Sequence, residues 1–320
     1  MNQPLTTREA RNLQKSLNMR ISNEAKTQGR SRDSIRFQLV FESMLRLIFR
    51  NPSPGWTLKG GTALLMRNGK GRFTRDLDLA RSKRWDSGEE LTNDLKELVQ
   101  GKNGDPFTFE VKDIHSRDNT ARGEYATPTA TVSIEARLGT LQFHTFKIDV
   151  SLSRHTQAPP EHVEVDPLLN TLQQDRLYES FTVLVTPIEA HLADKICAMR
   201  ETHHGRTSTR YHDLADIIQI ILTQDFSAQK LQTTLLHETR RRNIQLPEVL
   251  ASPGPEWERG YEKKAKDFYG LPPNLHSLTA SLEFAGTCLN EILSDQRGTG
   301  WWNHRSQQWV NEYQAPGRSF

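Results

Sequence analysis

Cysteine is scarce in this sequence. Cys197 and Cys288 are the only two cysteines, and neither has a Cys or His neighbour at the spacing of a zinc ligand set. The sequence therefore predicts neither a disulfide framework nor a structural zinc site. The histidines between residues 191 and 212 fit no compact ligand set either, and a polar loop explains them more simply.

Long hydrophobic runs are also missing. No apolar segment approaches the ~20 residues that span a bilayer, and the first residues lack the charged-then-apolar layout of a signal peptide. We therefore expect a cytoplasmic protein with no membrane partner. The charges nearly balance, at a net +3, which permits a nucleic-acid partner without requiring one.

The hydrophobic pattern changes along the chain. Residues 6–50 carry apolar side chains at helical spacing, whereas segments between Trp56 and Leu152 alternate apolar with polar residues, as strands do. Helical spacing returns after Pro187. The predicted strands are 56–59, 77–80, 107–111, 130–136 and 142–152, and the later helices are 187–200, 210–222, 228–240, 257–268 and 278–293.

This order of elements predicts an α+β protein in which helices flank a mixed sheet, with a C-terminal helical bundle domain. We expect an N-terminal helical segment of residues 1–50, a central domain of residues 51–185 and a C-terminal helical domain of residues 186–320. At 320 residues the chain is long enough for more than one core.

A glycine turn follows the first predicted strand. Gly60, Gly61 and Thr62 lie between that strand and the apolar start of a helix. Glycines allow a phosphate to approach backbone N–H groups closely at the positive end of a helix. The turn therefore predicts a cradle for phosphate.

Two carboxylates lie a short way downstream. Asp76 and Asp78 stand two residues apart on a predicted strand, so both project from one face while Leu77 and Leu79 enter the core. Adjacent carboxylates repel unless a cation lies between them, and Mg²⁺ commonly bridges one or two carboxylates to substrate phosphates. The glycine turn upstream favours a metal site over the simpler alternative, a pair of aspartates that face water at a strand edge.

A third carboxylate, Asp149, shares a strand face with Lys147 and Ser151, while apolar residues occupy the opposite face. If this strand lies beside that of Asp76 and Asp78, three carboxylates can hold two ions ~3.5–4 Å apart, an arrangement used in phosphoryl transfer. The alternative is an ordinary strand with a Lys/Asp pair on its solvent side.

A lysine lies on the apolar stripe of the helix predicted after Pro187. A buried lysine needs an anion, so we expect Lys195 to hold a nucleotide triphosphate, or to stabilise transition-state charge, in a cleft. The alternative is a side chain that extends out to solvent. Thr186 and Glu189 predict a capping box at the start of this helix.

Two acidic residues begin the next predicted helix. Asp213 flanks its apolar stripe, and a helical hairpin would bring it near Lys195. Asp216 points more to the opposite side, where an acidic residue in a first turn is usually only a partner of the helix dipole.

Basic and aromatic clusters occur in the last third of the chain. Residues 240–242 and 263–266 have the composition of an RNA-binding surface, but such runs are more often solvated helix faces. Trp301, Trp302 and Trp309 are expected either to close a C-terminal core or to meet a partner.

Four motifs in the same order resemble those of the AbiEii/AbiGii family of bacterial toxin nucleotidyltransferases, which have a polymerase-beta-like fold. The resemblance spans residues 56–222, roughly half of the chain. The loop between Thr62 and Asp76 is longer than the usual pattern, which leaves the choice of nucleotide open. The motifs are Gly60-Gly61-Thr62, Arg72-x-Thr74-x-Asp76-x-Asp78, Lys147-x-Asp149, and Asp194-Lys195 followed by Arg210-x-x-Asp213-Leu214-x-Asp216.

The resemblance implies a metal-dependent nucleotidyltransferase of a type IV toxin–antitoxin or phage-defence system, with a cognate antitoxin encoded nearby. In that family the glycine turn and the D-x-D motif bind triphosphate and Mg²⁺ (or Mn²⁺), and characterised relatives add nucleotides to the 3′ acceptor end of tRNA. Carried over, the family's functional residues correspond to Thr62, Asp76, Asp78, Lys147, Asp149, Lys195 and Asp213.

The resulting hypothesis is transfer of a nucleoside monophosphate from an NTP to an RNA 3′-hydroxyl, with pyrophosphate leaving. Lys195 and Arg72 or Arg75 would balance the charge of the triphosphate. Two alternatives stay open, namely a kinase-like phosphotransferase acting on protein or nucleotide, and a non-catalytic RNA- or protein-binding module on the same scaffold.

Overall fold

The computed structural model describes residues 5–51, 55–69, 71–72, 74–99, 105–117, 129–152, 158–169, 179–203 and 205–312. The chain divides into two compact units. The first comprises Met1–Gly69, Phe73–His155 and Pro160–Val185, and the second comprises Lys70–Arg72, Thr156–Pro159 and Thr186–Phe320. The domain boundaries drawn from the sequence stay a prediction, because compactness does not test whether a unit folds alone.

The helical structure predicted for residues 6–50 is confirmed, but it is divided between two N-terminal helices. Helix α1 spans Thr7–Gln28 and α2 spans Arg32–Ile48. Gly29 adopts a left-handed conformation (φ +64°) that ends α1. The Ser31 side chain accepts a hydrogen bond from the Ser34 backbone N–H and begins α2. Both segments are amphipathic, so hydrophobic periodicity alone does not reveal the break.

A mixed sheet of seven strands lies in the first unit. Its strands are β1 (Trp56–Lys59), β2 (Asp76–Arg81), β3 (Phe107–Arg117), β4 (Thr129–Leu138), β5 (Leu141–Leu152), β6 (Glu161–Val165) and β7 (Phe181–Val185), and the other helices are α3 (Gly60–Asn68) and α4 (Gly88–Val99). Among the described residues the strand order is β3-β4-β5-β2-β1-β7-β6. Strands β2 and β5 are parallel, as are β1 and β7, and the remaining neighbours are antiparallel. The predicted class, a mixed sheet flanked by helices, is confirmed.

The two faces of the central strands have different environments. Phe146 and Ile148 of β5 are buried, and the Phe146 ring contacts that of Phe41 in α2 edge-on at 5.2 Å between centroids. Leu77 and Leu79 of β2 are fully buried as predicted. Because successive side chains of a strand alternate between faces, the residues between these apolar positions project from the other side of the sheet.

The second unit is mainly helical. Its helices are α5 (Ile188–Arg200), α6 (His212–Thr223), α7 (Ala228–Arg242), α8 (Trp257–Ala265) and α9 (Leu278–Leu293), with a 3₁₀ turn at Pro273–Leu275. Its short strands are β8 (Thr202–His203), β9 (Arg206–Thr207), β10 (Phe226–Ser227), β11 (Trp301–Asn303) and β12 (Gln308–Val310). The sequence does not predict the three-stranded sheet β10-β11-β12.

The start of α5 differs from its prediction. Pro187, not Thr186, is the N-cap residue, and no side-chain hydrogen bond caps the helix. Glu189 instead accepts a hydrogen bond from the Ser227 backbone N–H at 3.0 Å. The predicted capping box is therefore wrong, because Glu189 satisfies a backbone donor of another element.

A tryptophan closes the core beside α6. Trp302 is 1% exposed, and its Nε1 donates a hydrogen bond to the Ile221 carbonyl at 2.8 Å. Trp309 Nε1 likewise donates to the Cys288 carbonyl at 3.0 Å. The expectation that a tryptophan closes a C-terminal core is confirmed for Trp302, whereas Trp301 and Trp309 are partly exposed. In the described part of the chain no helix is long and apolar enough to cross a membrane.

Candidate active site

Asp78 and Asp149 lie side by side on parallel strands. Asp78 of β2 is the register partner of Asp149 of β5, and Asp76 is the partner of Lys147. Neighbouring strands are ~4.8 Å apart, and register partners project from the same face. The structure thus brings together the three predicted carboxylates on one face of the sheet, which we call the acidic face (Asp76, Asp78 and Asp149).

The acidic face is accessible to solvent. Asp76 and Lys147 are exposed, and Asp78 and Asp149 are partly exposed. A ligand can therefore reach the carboxylates without opening the core.

Two further side chains that the sequence does not single out belong to this face. Thr131 of β4 is the register partner of Asp149, and its hydroxyl donates a hydrogen bond to Asp149 Oδ1 at 2.7 Å. Lys59 of β1 is the register partner of Asp78. Neither residue lies in a recognisable motif, and only the strand pairing shows that they flank the carboxylates.

The glycine turn meets the acidic face at Gly60. This residue begins α3 with φ +66°, and a Cβ added to it would lie 2.7 Å from Asp78 Cγ and closer still to Oδ2. Only glycine combines the left-handed backbone with room for the Asp78 carboxylate. The N-terminus of α3 and the acidic face are therefore adjacent, as the sequence predicts.

Thr62 has its hydroxyl inside the protein. It is fully buried, its Oγ1 lies 3.0 Å from Thr74 Oγ1, and it donates to the Asp76 carbonyl at 3.1 Å. These contacts join the first turn of α3 to the start of β2. In this arrangement Thr62 positions the D-x-D strand, and a direct contact with triphosphate stays a prediction.

The chemistry of the acidic face fits a hard divalent cation. Its donors are carboxylate oxygens, which Mg²⁺ prefers, and the hydrogen bond from Thr131 orients Asp149. Among the described residues no three His, Cys, Asp or Glu side chains form a ready ligand group. Mg²⁺ sites in nucleotide enzymes usually combine one or two carboxylates with substrate phosphates, and the pair Asp78 and Asp149 fits that pattern.

A second cluster forms in the second unit around Lys195. The lysine is 3% exposed, its Nζ donates to Asp213 Oδ1 at 3.1 Å, and it is also hydrogen-bonded to Asp216. Arg210 Nε pairs with Asp213 Oδ2 at 2.6 Å. The predicted proximity of Lys195 and Asp213 is confirmed, and the alternative of a solvent-directed lysine is wrong.

Asp216 requires a correction. The sequence assigns it to the solvent side of α6 as a dipole partner, but the residue is fully buried and pairs with Lys195. Arg72 Nε also lies 3.4 Å from Asp216 Oδ2. A buried lysine and an arginine attract this carboxylate more strongly than a helix dipole does.

The ionisation of this cluster follows from burial and charge pairing. Burial lowers the pKa of Lys195, but the carboxylates of Asp213 and Asp216 more than offset it, so the pKa lies above its ordinary value. Burial acts to raise the pKa of Asp213, and the Lys195 and Arg210 cations overcome it and lower the pKa. Burial lowers the pKa of His212 to about 4. At neutral pH the cluster holds charged Lys195 and Asp213 beside a neutral imidazole.

Other predicted positions lie at the edges of the site. Arg75 is exposed at the start of β2, and Gly61 is buried within the first turn of α3. His204 and two residues of the loop between Thr62 and Asp76, at positions 70 and 73, lie outside the described residues.

The two basic runs differ in structure. Arg241 and Arg242 pair with Glu238 of the same helix, and Arg242 also pairs with Glu201 at 2.6 Å. The run at 263–266 is exposed at its three lysines, with carboxylates at 258, 262 and 267 nearby in the chain. The first run is thus part of an ion-pair network, and the second fits a solvated helix face.

A family model matches residues 43–285, and its description is nucleotidyl transferase AbiEii toxin, type IV toxin–antitoxin system. Together with the mixed sheet, this match defines a nucleotidyltransferase. The chain belongs to the AbiEii family of toxin nucleotidyltransferases. The resemblance recognised in residues 56–222 is confirmed, and the matched region extends further in both directions.

Solved structures from Helicobacter pylori are similar to this chain. JHP933 is 18% identical, with a TM-score of 0.44 and coverage of 83% of this chain and 95% of that protein. A protein with the provisional description nucleotidyltransferase is 17% identical, with a TM-score of 0.46 and coverage of 83% of this chain and 99% of that protein. A search of curated proteins finds no match.

Proposed function

We propose that this toxin-type nucleotidyltransferase moves a nucleoside monophosphate from an NTP to the 3′-hydroxyl of an RNA, with tRNA as the expected acceptor. The observation that carries the proposal is the adjacency of Asp78, Asp149 and Gly60, since a helix N-terminus that favours phosphate lies beside two carboxylates in register. Membership of the AbiEii family supports it. We further propose that this transfer blocks translation. The protein would do so as part of a toxin–antitoxin or phage-defence system with a cognate antitoxin.

The chain's own groups divide the work on the triphosphate. Backbone N–H groups at Gly60 and Gly61 carry the partial positive charge of the α3 N-terminus and would bind phosphate oxygens. Lys147 is the register partner of Asp76, and Arg75 directly precedes Asp76 in the chain. Both cations are exposed and would balance the negative charge of the triphosphate, which the carboxylates repel. Thr62 and Thr131 position Asp76 and Asp149 through hydrogen bonds.

The acidic face would hold the metal. Asp78 and Asp149 would bind Mg²⁺ or Mn²⁺, with Asp76 two residues away on the same strand face. When bound, the ion neutralises phosphate charge and orients the α-phosphate for in-line attack. Two carboxylates at this spacing also repel less when a cation lies between them.

The Lys195 cluster has a separate role in the proposal. Lys195 pairs with the carboxylates of Asp213 and Asp216. Its ammonium charge is therefore already neutralised by the protein itself, without a triphosphate. We propose that Lys195 and Asp213 are needed for activity because they fix the arrangement of α5 and α6. Contact of Lys195 or Arg72 with the triphosphate stays a prediction.

The test uses NTPs labelled at either the α or the γ phosphate, mixed with the protein, bulk tRNA and Mg²⁺. We expect α-label on the RNA and release of γ-label as pyrophosphate. Asp149→Asn should reduce the rate at least ~100-fold, since the metal loses half of its protein carboxylates. The matched control is Asp113→Asn, which removes an exposed carboxylate from β3 of the same sheet.

The two rival functions give different results. Transfer of γ-label to RNA, protein or nucleotide, with no α-label incorporated, identifies a kinase-like phosphotransferase and excludes our proposal. A non-catalytic binding module predicts no transfer of either label and unchanged cellular toxicity in Asp76→Ala. Our proposal predicts that this variant loses its toxicity.

A further inference from the structure

Helix α1 lies outside the family-matched residues 43–285 and has one basic side. Arg8, Arg11, Lys15 and Lys26 are all exposed, and at ~100° per residue they fall within a stripe about 60° wide. We call these four residues the α1 basic face. The stripe runs from Arg8 to Lys26, a length of ~27 Å along the helix.

The carboxylates of α1 are turned away from this face. Glu9 accepts hydrogen bonds from the Thr6 N–H and hydroxyl at 2.8 and 2.7 Å, in a capping box. Glu24 accepts one from Gln28 Nε2 at 2.6 Å. At helical spacing both lie ~100–160° from Arg8. The cations of the α1 basic face are therefore not neutralised by carboxylates of their own helix.

The net charge of the chain is concentrated in this region. The first 36 residues contain eight Lys or Arg and three Asp or Glu, a net +5, whereas the whole chain carries +3. The remaining residues thus sum to −2. The entire basic excess lies in α1 and the start of α2, which is the pattern of a surface for a polyanion.

Nucleic acid fits this surface better than a membrane or an acidic protein. The apolar side of α1 is buried against the protein, with Leu17 and Ile21 at most 1% exposed, so the helix has no apolar side to insert into lipid. Met19, 62% exposed, is the one large apolar side chain that α1 presents to solvent. A protein interface needs a larger apolar centre, whereas phosphate contacts need mainly cations.

The position of α1 relates it to the acidic face, because both belong to the first unit. Gln14 Nε2 donates to the Gln142 carbonyl at 3.5 Å, which places the N-terminal half of α1 near the start of β5. Asp149 lies seven residues along that strand, ~24 Å away. An RNA that contacts both must extend over at least that distance.

We propose that the α1 basic face binds the phosphate backbone of the acceptor RNA, remote from the 3′ end that reacts. This proposal rests on the proposed function, because it takes RNA as the acceptor. The surface adds affinity for long acceptors through phosphate contacts and does not read sequence.

The test measures binding of fluorescently labelled bulk tRNA by anisotropy across a range of KCl concentrations. The variant is Arg8→Gln, Arg11→Gln, Lys15→Gln and Lys26→Gln combined. Its Kd should rise at least ~10-fold at moderate salt, and the slope of log Kd against log salt should fall by ~3, or about 0.7–0.9 for each phosphate that the variant no longer neutralises. Affinity for a dinucleotide should change less than ~2-fold, since it carries too few phosphates to neutralise the four cations of the α1 basic face.

The matched control removes four exposed cations of the α8 region, in Arg259→Gln, Lys263→Gln, Lys264→Gln and Lys266→Gln combined. An unchanged tRNA affinity and salt slope in the α1 variant overturns the proposal, and so does an equal loss in both variants. Loss of binding to phosphatidylserine vesicles or to an antitoxin, with tRNA affinity unchanged, also overturns it. Because the readout is binding, an absence of NMP transfer in the wild type rejects the proposed function alone.

Discussion

Gly60 lies against Asp78 where β1 passes into α3, and this contact joins the glycine turn to the acidic face. Its backbone has φ +66° and an added Cβ would overlap the Asp78 carboxyl group. A larger residue must therefore either shift the carboxylate or distort the start of the helix. The glycine is needed for two separate reasons, backbone conformation and space.

We predict that Gly60→Ala abolishes most NMP transfer and lowers the free energy of unfolding by ~1–3 kcal/mol. The matched control is Gly69→Ala at the other end of α3, where φ is +62° and nothing lies within 4 Å of an added Cβ. The control shares the backbone strain but not the overlap, so it should lose ~1 kcal/mol of stability and retain activity. Urea denaturation measures the free energy of unfolding, and transfer of α-label to RNA measures the activity. Equal activity in the two variants would contradict the assigned contact.

Single residues show where sequence reasoning succeeds and where it stops. The D-x-D spacing and the strand pattern around Asp149 predict which faces the carboxylates occupy, because the period of a strand is fixed at two. The assignment of Asp216 is wrong, because helical position alone does not show which cation packs against a side chain. Thr131 and Lys59 escape detection, since strand order is a long-range property that a local pattern does not contain.

At the scale of elements, a buried carboxyl group of α2 binds the backbone of the segment that contains Leu168. Glu42 is 1% exposed, and it accepts hydrogen bonds from the Leu168 N–H and from Gln38 Nε2, both at 3.0 Å. Burial raises the pKa of Glu42 to about 7, although these hydrogen bonds and the nearby Arg46 and Arg30 act to lower it. Folding thus favours the protonated form of Glu42 more than the unfolded chain does.

This raised pKa predicts a pH-dependent stability. Between the unfolded value of 4.5 and about 7, the folded state binds more protons than the unfolded state. The contribution of Glu42 is therefore present in full below pH 4.5 and is lost as pH rises through about 7. Glu42→Gln cannot ionise, so its stability relative to wild type should increase by up to about 3 kcal/mol from pH 4.5 to pH 8.

Urea denaturation at several pH values measures this difference. The matched control is Glu97→Gln on α4, where the carboxylate is exposed. A difference between Glu42→Gln and wild type that stays constant with pH would contradict the assignment.

The sequence predicts the elements themselves unevenly. Strand β1 and helix α9 have their predicted bounds, and β2, β4 and β5 begin within a residue of prediction, because their apolar pattern is regular. Strand β3 extends six residues beyond its predicted end. Its outer part lies at the sheet edge and is largely exposed, so it lacks the alternation that marks a half-buried strand. The break between α1 and α2 depends on Gly29, which ends the first helix, and on Ser31, which caps the second.

At the scale of the whole molecule, the family-matched region does not include all of the structured chain. Strands β11 and β12 lie beyond residue 285, yet Trp302 is buried and hydrogen-bonded to Ile221 at the end of α6, the helix that begins near Asp213. The C-terminal hairpin is therefore part of the second unit's core. The hairpin belongs to this core because of its packing contacts, which a family motif does not describe.

We predict that Trp302→Phe lowers the free energy of unfolding by ~1–3 kcal/mol, because the Ile221 carbonyl loses its donor and the smaller ring leaves a gap. Trp301→Phe is the matched control, since Trp301 precedes it on the same strand but is partly exposed. Its effect should stay below ~1 kcal/mol. If Trp302→Phe unfolds at the same urea concentration as wild type, the hairpin does not stabilise the core of the second unit.

The parallel pairing of β2 with β5 has a consequence for synthesis of the protein. Asp78 and Asp149 are register partners although 71 residues separate them in sequence, so a ribosome-bound chain that stops before β5 carries only one side of the acidic face. Long-range pairings of this kind form late. Under the function proposed above, the nascent chain therefore has no transferase activity until most of the sheet has been produced.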